Sequence, residues 1–201
     1  MGIAGEGLSY RTFRGAGIRE ATDALAALRI TVFRDYPYLY DGDPAYEKEY
    51  LKTYINSEKS LLFSVFEGKQ MVGATTCIPL ADETEDVRKP FREKGMDVGG
   101  IFYFGESILL KSYRGQGLGN RFFEEREAHA ALFPGVSTMC FCAVKRPADH
   151  PRRPGDYQPL DIFWGKRGYA KAPDMVSYFE WKDLGEEIST AKPMEYWFKK
   201  I

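Results

Sequence analysis

A glycine-rich turn is the segment of this sequence best suited to chemistry. Arg114-Gly115-Gln116-Gly117-Leu118-Gly119 follows a β-prone run and precedes a helical segment. Glycines allow backbone N–H groups to approach an anion closely, and the N-terminus of the following helix adds positive potential. The turn therefore predicts a binding site for a phosphate-bearing ligand.

Two common phosphate-binding loops do not fit this turn. A Walker loop ends in Gly-Lys-Ser/Thr, whereas Gly119 is followed here by Asn120-Arg121. A dinucleotide-binding turn has the spacing Gly-x-Gly-x-x-Gly and an acidic residue ~20 positions later. This chain has Gly-x-Gly-x-Gly, and residues 135–140 (GVSTMC) contain no acid.

A third pattern does fit. Arg114-x-x-Gly117-x-Gly119 resembles the Q/R-x-x-G-x-G/A motif of the GNAT superfamily of acetyl-CoA-dependent N-acetyltransferases. The preceding 108-ILLKSYRG-115 is similar to the end of the family's fourth strand, and 163-FWGKRGY-169 is similar to its late "FYEKLGF" segment. The order of predicted elements also agrees with this family from about residue 8 to residue 182.

The resemblance implies a binding site for acetyl-CoA, the co-substrate of the family. The coenzyme's pyrophosphate would lie among backbone amides, with Arg114 at the start of the turn. The main chain of Ile108 and Leu109 would pair with the pantetheine arm as an added strand does. Phe163 and Lys166 would face the coenzyme, although Lys166 is equally well explained as a solvated surface lysine. The implied amides are those of Gly115, Gln116, Gly117, Leu118, Gly119 and Asn120.

Acetyl transfer to an amine requires a neutral nucleophile. Deprotonating a lysine-like amine near pH 7 costs about 4 kcal/mol, which a general base helps to offset. Glu106 lies on the strand that leads into the turn, among apolar residues that would raise its pKa, and is the candidate base. The alternative explanation for Glu106 is a buried salt bridge.

The proton donor for the departing thiolate is less clearly marked. Many members of the family place a tyrosine on the late helix, where this chain has Trp164. Tyr157, Tyr169 or another tyrosine would then substitute, or water would assist. Strand N–H groups near Leu109 are the expected donors to the oxyanion of the tetrahedral intermediate.

Two loops are candidates for the acceptor side. Tyr38, Tyr40 and Asp41 lie between the first two predicted helices, and aromatic faces with carboxylates suit a cationic amine. A packed polar connection between helices explains the same residues. The proline-rich residues 145–159 are either a lid over the substrate or an ordered surface loop.

Periodicity predicts a mixed α/β fold. Ala21, Leu25, Leu28 and Val32 form one apolar helical stripe, and Asp43-Pro44 starts a second helix through about Tyr54. We expect a GNAT-like single domain over 1–201, with a mostly antiparallel sheet of 6–7 strands and about four flanking helices. The predicted strands are 8–14, 61–66, 71–78, 101–110, 137–144 and 175–181, and the later helices are 117–132, 160–167 and a short one within 81–98.

Composition excludes several function classes. The 28 Lys+Arg and 29 Asp+Glu leave a net charge of −1, which argues against nucleic acid or an anionic membrane as the main partner. No apolar run approaches the ~18 residues of a membrane span, and the N-terminus lacks the features of a signal peptide. Three cysteines (Cys77, Cys140 and Cys142) fit reduced thiols in the cytoplasm, and the isolated His129 and His150 predict no metal site.

The sequence thus predicts an acyltransferase that moves an acetyl group from acetyl-CoA to a primary amine by direct transfer in a ternary complex. The acceptor would be a small molecule or a peptide, and the resemblance makes a homodimer possible. The main alternative is a non-catalytic acyl-CoA-binding module with a sensor or regulatory role. A nucleotide-phosphate binder of another α/β family is the second alternative.

Overall fold

The computed structural model describes residues 7–201; residues 1–6, part of the segment examined for a signal peptide, lie outside the described residues. The strands are Leu8–Arg14 (β1), Leu61–Glu67 (β2), Gln70–Pro79 (β3), Ile101–Leu109 (β4), Thr138–Val144 (β5), Ala170–Trp181 (β6) and Thr190–Lys200 (β7). The α-helices are Thr22–Phe33 (α1), Pro44–Asn56 (α2), Glu85–Glu93 (α3), Leu118–Ala130 (α4) and Asp161–Gly165 (α5).

All seven strands join one sheet in the order β1-β2-β3-β4-β5-β7-β6. Neighbouring strands are antiparallel except β4 and β5, which are parallel. The predicted mixed, mostly antiparallel α/β sheet is confirmed. The single-domain organisation over 1–201 stays a prediction.

The C-terminal strand β7 was not predicted, and the predicted order of elements ends with a strand at 175–181. Residues 190–200 (TAKPMEYWFKK) carry Pro193 and three lysines, which weaken a β-strand signal. Lys192, Met194 and Tyr196 nevertheless alternate inward on one face. Because β7 pairs with both β5 and β6, it is the strand that attaches β6 to the sheet.

The sheet is covered by helices on both faces. Leu25 of α1, Leu51 of α2 and Phe91 of α3 pack into one core, which confirms the apolar stripe of the first helix. On the other face, Phe123 of α4 packs into a second core against which residues of α5 are partly buried. The Asp43 carboxylate caps α2 by accepting from the N–H groups of Ala45 and Tyr46 at 2.7 and 2.9 Å, as the Asp43-Pro44 pair predicts.

A bulge interrupts β4 just before its end. Gly105 and Glu106 together oppose the single residue Thr76 of β3, since Thr75 pairs with Ser107 and Cys77 with Phe104. A Cβ atom on Gly105 would lie 1.9 Å from the Tyr54 hydroxyl and 2.7 Å from the Thr76 hydroxyl. Only glycine fits at this position, and the bulge turns the following Glu106 toward α1 and α2.

Candidate functional site

A wedge opens between β4 and β5. The two strands pair only where Ile101–Tyr103 faces Thr138–Cys140, although β4 continues to Leu109 and β5 to Val144. Over the rest of their lengths, no pairing joins the facing edges of these two strands in residues 7–201. The sheet therefore contains a gap whose walls are backbone.

The direction of the backbone groups along β4 follows from its pairing with β3. The Leu110 N–H donates to the Val72 carbonyl at 2.9 Å. Backbone groups alternate between the two edges of a strand, so those of Ile108 also face β3 and those of Leu109 face the wedge. Leu109 can therefore offer its N–H to a ligand in the wedge, whereas the expectation that the Ile108 main chain does so has no geometric support.

The glycine turn lies at the end of β4 and leads into α4. Gly115 and Gly117 have φ of +77° and +84°, in the left-handed region that favours glycine, and Gly117 is the N-cap of α4. Within the described residues, the N–H groups of five consecutive residues have no acceptor: Gly115, Gln116, Gly117, Leu118 and Gly119. The Asn120 N–H instead donates to the Gly117 carbonyl at 2.9 Å, so the predicted role of that amide is not supported.

Helix α5 packs on the first turn of α4. A Cβ atom on Gly119 would lie 3.1 Å from the Phe163 ring, so the missing side chain is what lets the two helices meet. The Arg167 guanidinium lies 3.4 Å from the centre of that ring. Phe163 therefore lies at the turn, and its contact with the coenzyme stays a prediction. Lys166 is exposed to solvent at the end of α5.

Arg114 lies at the start of the turn, as its position in the motif predicts. Its Nε atom donates to the Leu109 carbonyl at 3.2 Å, and its Nη2 atom lies 4.0 Å from the Asp35 carboxylate. Lys111 approaches the same carboxylate at 3.1 Å. Two cations therefore stand near the free amides, with one carboxylate between them, and the charge around the turn favours an anion.

Glu106 belongs to a buried ion cluster on the α1 and α2 side of the sheet. The Arg29 guanidinium donates from Nε to Glu47 and from Nη1 to Glu106. It also lies 4.3 Å from the centre of the Tyr50 ring and 5.0 Å from that of Phe33. The salt bridge that was the alternative explanation for Glu106 is thus present, and it leaves one oxygen of this carboxylate free.

The cluster carries an excess of negative charge when both of its carboxylates are ionised. Oε1 of Glu47 and Oε1 of Glu106 are both buried and have no partner in the described part of the chain. Two carboxylates share one guanidinium. Burial raises the pKa of Glu106, Arg29 opposes that rise, and the like charge of Glu47 adds to it. Glu106 therefore binds a proton more readily than an ordinary glutamate.

The predicted acceptor residues separate into two groups. Burial raises the pKa of Tyr38, and the nearby Cys142 thiol of β5 adds to the rise. Tyr40 is buried, and its pKa is raised by burial and then by the charge of Glu47. Asp41, in contrast, pairs with Lys182 at 2.7 Å and has no contact with the ion cluster.

Tyr157 lies in the proline-rich loop and reaches the loop between α1 and α2. Its ring meets that of Tyr36 edge-on, with 4.7 Å between centroids, and His150 packs on the same Tyr36 at 5.7 Å. The Arg153 guanidinium lies over the Tyr157 ring at 5.2 Å. Tyr157 therefore lies near Tyr38, and the Tyr157 hydroxyl adds to the rise in the pKa of Tyr38.

Tyr169 lies on the other face of the sheet. Its side chain is in the core under α4, and its hydroxyl donates to Glu127 at 3.0 Å. The proton of this tyrosine is already engaged and burial raises its pKa, so we do not retain Tyr169 as a proton donor to the thiolate. Trp164 packs against Phe141 and Trp197, with 5.1 Å between ring centroids in each case, and offers no acidic proton.

The start of the proline-rich loop holds the acceptor-side loop in place. Arg146 donates to the carbonyl oxygens of Pro37 and Tyr38, both at 2.7 Å, and pairs with the buried Asp183 at 2.8 Å. Three segments distant in sequence are therefore joined by one guanidinium. The ordered-loop interpretation of 145–159 accounts for these contacts, and a lid function stays a prediction.

The residues predicted from the sequence do not include the cation of the buried cluster or one of its carboxylates. Arg29 lies four residues after Leu25, and Glu47 lies four residues before Leu51, so each charge occupies a core position of its helix. A charged residue on an apolar stripe is a signal for a buried ion pair. Arg146 and Arg167 gave no such signal, because both lie in irregular or short segments.

Comparison with known proteins identifies the fold. No family model and no curated protein matches this sequence. A GNAT-family acetyltransferase from Staphylococcus aureus Mu50 superposes with a TM-score of 0.57 at 8% identity, covering 96% of this chain and 98% of that one. Arabidopsis thaliana NAA60, solved with a bisubstrate analogue, gives 0.57 at 10% identity (96% and 99% covered), and the loading GNATL domain of CurA from Lyngbya majuscula gives 0.58 at 15% (96% and 98%). The chain has the GNAT fold, which confirms the resemblance predicted from its sequence.

Two further observations concern membranes and metals. Among the helices of residues 7–201, none is both long and apolar enough to cross a bilayer. The same residues contain no group of three or more His, Cys, Asp or Glu side chains that could hold a metal ion.

The buried cluster predicts an unusual response to loss of its cation. Arg29→Met should lower the free energy of unfolding by about 3–5 kcal/mol at pH 8, because it leaves two buried carboxylates unpaired. Burial already raises the pKa of Glu106 against the opposing charge of Arg29, so this pKa rises further when the cation is removed. The destabilisation should therefore shrink as the pH falls toward 5 and Glu106 takes up a proton.

Urea denaturation at pH 8 and pH 5 measures this effect. Lys48→Met is the matched control, since it removes a cation that pairs with Asp23 at 2.8 Å on the surface, where such pairs contribute little. A similar small loss in both variants, or a loss for Arg29→Met that grows on acidification, would contradict the predicted role of the cluster.

Proposed function

We propose that this protein is an N-acetyltransferase that moves an acetyl group from acetyl-CoA directly to a primary amine. The observation that carries the proposal is the run of five free N–H groups at residues 115–119, which lies where the wedge between β4 and β5 ends. A diphosphate satisfies such a run of donors, and the helix N-terminus favours its charge. The fold supports the proposal without specifying the reaction.

The wedge supplies the place for the rest of the coenzyme. With its pyrophosphate on the turn, the pantetheine arm would lie along the free edge of β4 and bond to the backbone of Leu109. The open space around Gly115 and Gly117, where an added Cβ would meet nothing within 4 Å, fits a bound phosphate group. The thioester would then reach the level of Glu106.

Glu106 is the proposed general base. Its Oε2 atom is held by Arg29, and its free Oε1 atom is the one that would accept the proton of the amine. Because burial raises its pKa, the carboxylate is a stronger base than an exposed glutamate, and proton transfer from an ammonium costs less. Arg29 fixes the position of the base without using both of its oxygens.

The remaining steps use groups on the two walls of the wedge. The Leu109 N–H would stabilise the oxyanion that forms when the amine attacks the thioester carbonyl. Collapse of the intermediate releases the thiolate of coenzyme A, and the Tyr157 hydroxyl is the proposed donor of the proton that it takes up. No hydrogen bond engages the Tyr157 hydroxyl in the described residues.

The charge of the site favours a cationic acceptor. Arg29, Glu47 and Glu106 together carry one excess negative charge when both carboxylates are ionised. Tyr38 and Tyr40 add aromatic faces, which attract ammonium groups. We therefore propose that the acceptor, whether a small molecule or a peptide, presents a protonated primary amine to this side of the sheet.

A panel of primary amines tests the proposed reaction. The protein should release free coenzyme A thiol from acetyl-CoA when small polyamines, aminoglycosides or peptides with a free amine are supplied, and the acetylated amine should appear by mass spectrometry in equal amount. Tight binding of acetyl-CoA with no thiol release for any amine would replace this proposal with the non-catalytic binding module.

The glycine turn gives a prediction for coenzyme affinity. Gly117→Ala should weaken acetyl-CoA binding by at least tenfold in calorimetry, because a methyl group at the N-cap would stand among the free N–H groups. Gly135→Ala is the control, since Gly135 also has a positive φ (+89°) and open space for a Cβ but lies at the other end of α4. Both variants carry similar backbone strain. Equal affinities in the two variants would refute the assignment of the turn.

Glu106→Gln tests the proposed base. We expect kcat near pH 7 to fall by about 100-fold, as for the loss of a general base, with little change in the dissociation constant of acetyl-CoA. Glu47→Gln loses a carboxylate that contacts the same guanidinium, and a loss of less than tenfold is expected there. Equal losses in the two variants would show that Glu106 acts only by supporting the cluster.

A further inference from the structure

A hydrogen-bonded chain runs through α2 beside the ion cluster. The hydroxyls of Tyr50 and Tyr54 are 3.2 Å apart, and the Tyr54 hydroxyl donates to Oε1 of Glu83 at 3.0 Å. Tyr54 and Glu83 are buried, and the residues of the proposed transfer step do not include any of the three. Two tyrosines and a carboxylate in a row form a path that a proton can follow.

The carboxylate of Glu83 sets the donor-to-acceptor direction of the hydrogen bonds between Tyr50, Tyr54 and Glu83. An ionised Glu83 can only accept, so the Tyr54 proton points toward it. The Tyr54 oxygen is then an acceptor for the Tyr50 hydroxyl, and the Tyr50 oxygen keeps its lone pairs for a donor on its other side. Each proton already points from Tyr50 toward Glu83.

The inner end of the chain lies at the proposed site of transfer. The partly buried Tyr50 packs its ring against the guanidinium of Arg29, which in turn holds Glu106. The Tyr54 hydroxyl fills the space left by Gly105, the residue before Glu106. The charge of Glu106 raises the pKa values of both tyrosines, although burial is the larger cause.

The outer end opens to solvent. Glu83 lines a surface pocket of about 370 Å³ between the end of α2 and the segment after β3. The residues after β3 follow Pro79, which pairs with Phe102 near the start of β4. This pocket is therefore at the end of β4 opposite the glycine turn. The other pocket residues are Thr53, Asn56, Ser57, Asp82 and Thr84.

We propose that Tyr50, Tyr54 and Glu83 form a relay that carries the proton released by the acceptor amine from Glu106 to the solvent pocket. The inference rests on the proposed function. No direct hydrogen bond joins Glu106 to Tyr50 in the described residues, and the proposed relay therefore includes one bridging water molecule. The water takes the proton of Glu106 and passes one of its own to the Tyr50 oxygen, while the Tyr50 proton moves to Tyr54 and the Tyr54 proton moves to Glu83. Glu83 then releases a proton to water, and rotation of the two hydroxyls restores the starting arrangement. Both tyrosines are neutral before and after, and no other reactant is needed.

The environment of Glu83 suits a group that carries protons near neutral pH. Burial raises the pKa of Glu83 to about 7, against the opposing hydrogen bonds from the Thr84 N–H and Tyr54. A group with this pKa both accepts and releases a proton near pH 7. Several other titratable and charged groups lie near Glu83: Asp82 in the same pocket, Arg88 on α3, Glu106 and Tyr103 on β4, Arg29 on α1, Cys140 and Cys142 on β5 and Tyr196 on β7.

The pH dependence of turnover tests the relay. With an amine that the wild-type protein acetylates, kcat should rise with pH through a value near 7, because only ionised Glu83 accepts a proton. Glu83→Gln, Tyr54→Phe and Tyr50→Phe should each lower kcat at least tenfold at pH 7.5 and remove this rise, while the dissociation constant of acetyl-CoA stays within twofold. Tyr46→Phe, one turn earlier on α2, removes a hydroxyl outside the chain and should keep both kcat and its pH profile.

Each result of these kinetic measurements either supports or overturns the relay. If Tyr54→Phe does not fold, Tyr50→Phe gives the result, because it loses a single hydrogen bond at a partly exposed position. Wild-type turnover with unchanged kcat and pH profile in the folded variants would overturn the relay and leave the proposed function standing. Absence of wild-type turnover with every amine would overturn the proposed function, and the relay with it.

Discussion

The interruption of pairing between β4 and β5 is the constraint on which the rest of this structure depends. Two strands that could continue as a ladder separate after three residues. Their facing N–H and C=O groups then need partners, since an unpaired backbone group removed from water is costly. A ligand with amide and carbonyl groups of its own can satisfy these edges. The fold therefore maintains an open binding edge in the middle of its sheet.

The bulge at Gly105 and Glu106 connects this opening to the chemistry. Without the extra residue, the alternation of β4 would place Glu106 on the face covered by α4. With it, the carboxylate turns toward α1 and α2, where Arg29 meets it. Burying two carboxylates around one guanidinium contributes little net stability, and a uniquely positioned base is the more persuasive reason for its presence. The packing of the Tyr54 hydroxyl against Gly105 makes glycine necessary at that point.

Local patterns in the sequence were enough to predict most of the fold. The glycine turn, the Asp43 cap and the apolar stripe of α1 each depend on neighbouring residues, and each is present as predicted. Strand β7 was missed because Pro193 and its lysines obscure an alternation that pairing with β5 and β6 stabilises. Contacts between segments that are distant in the sequence could not be predicted from local patterns.

The residues of the candidate site also divide into those that the local sequence predicts and those that depend on distant contacts. The position of Glu106 on the strand before the turn was predictable, whereas its partner Arg29 lies 77 residues away in the chain. Tyr169 was a candidate proton donor from its place in the 163–169 segment, while its side chain lies in the core under α4 with its hydroxyl beside Glu127. Which face a side chain occupies depends on register, and register is a property of the whole sheet.

Residues 115–119 are proposed to bind the pyrophosphate of coenzyme A through their backbone N–H groups. The most direct measurement is an NMR titration of the ¹⁵N-labelled protein with coenzyme A, following the amide resonances of the whole chain. We predict that the largest shifts occur at Gly115, Gln116, Gly117, Leu118 and Gly119, followed by the free edge of β4 at Leu109. Saturable binding that leaves the five turn amides unmoved would contradict the claim.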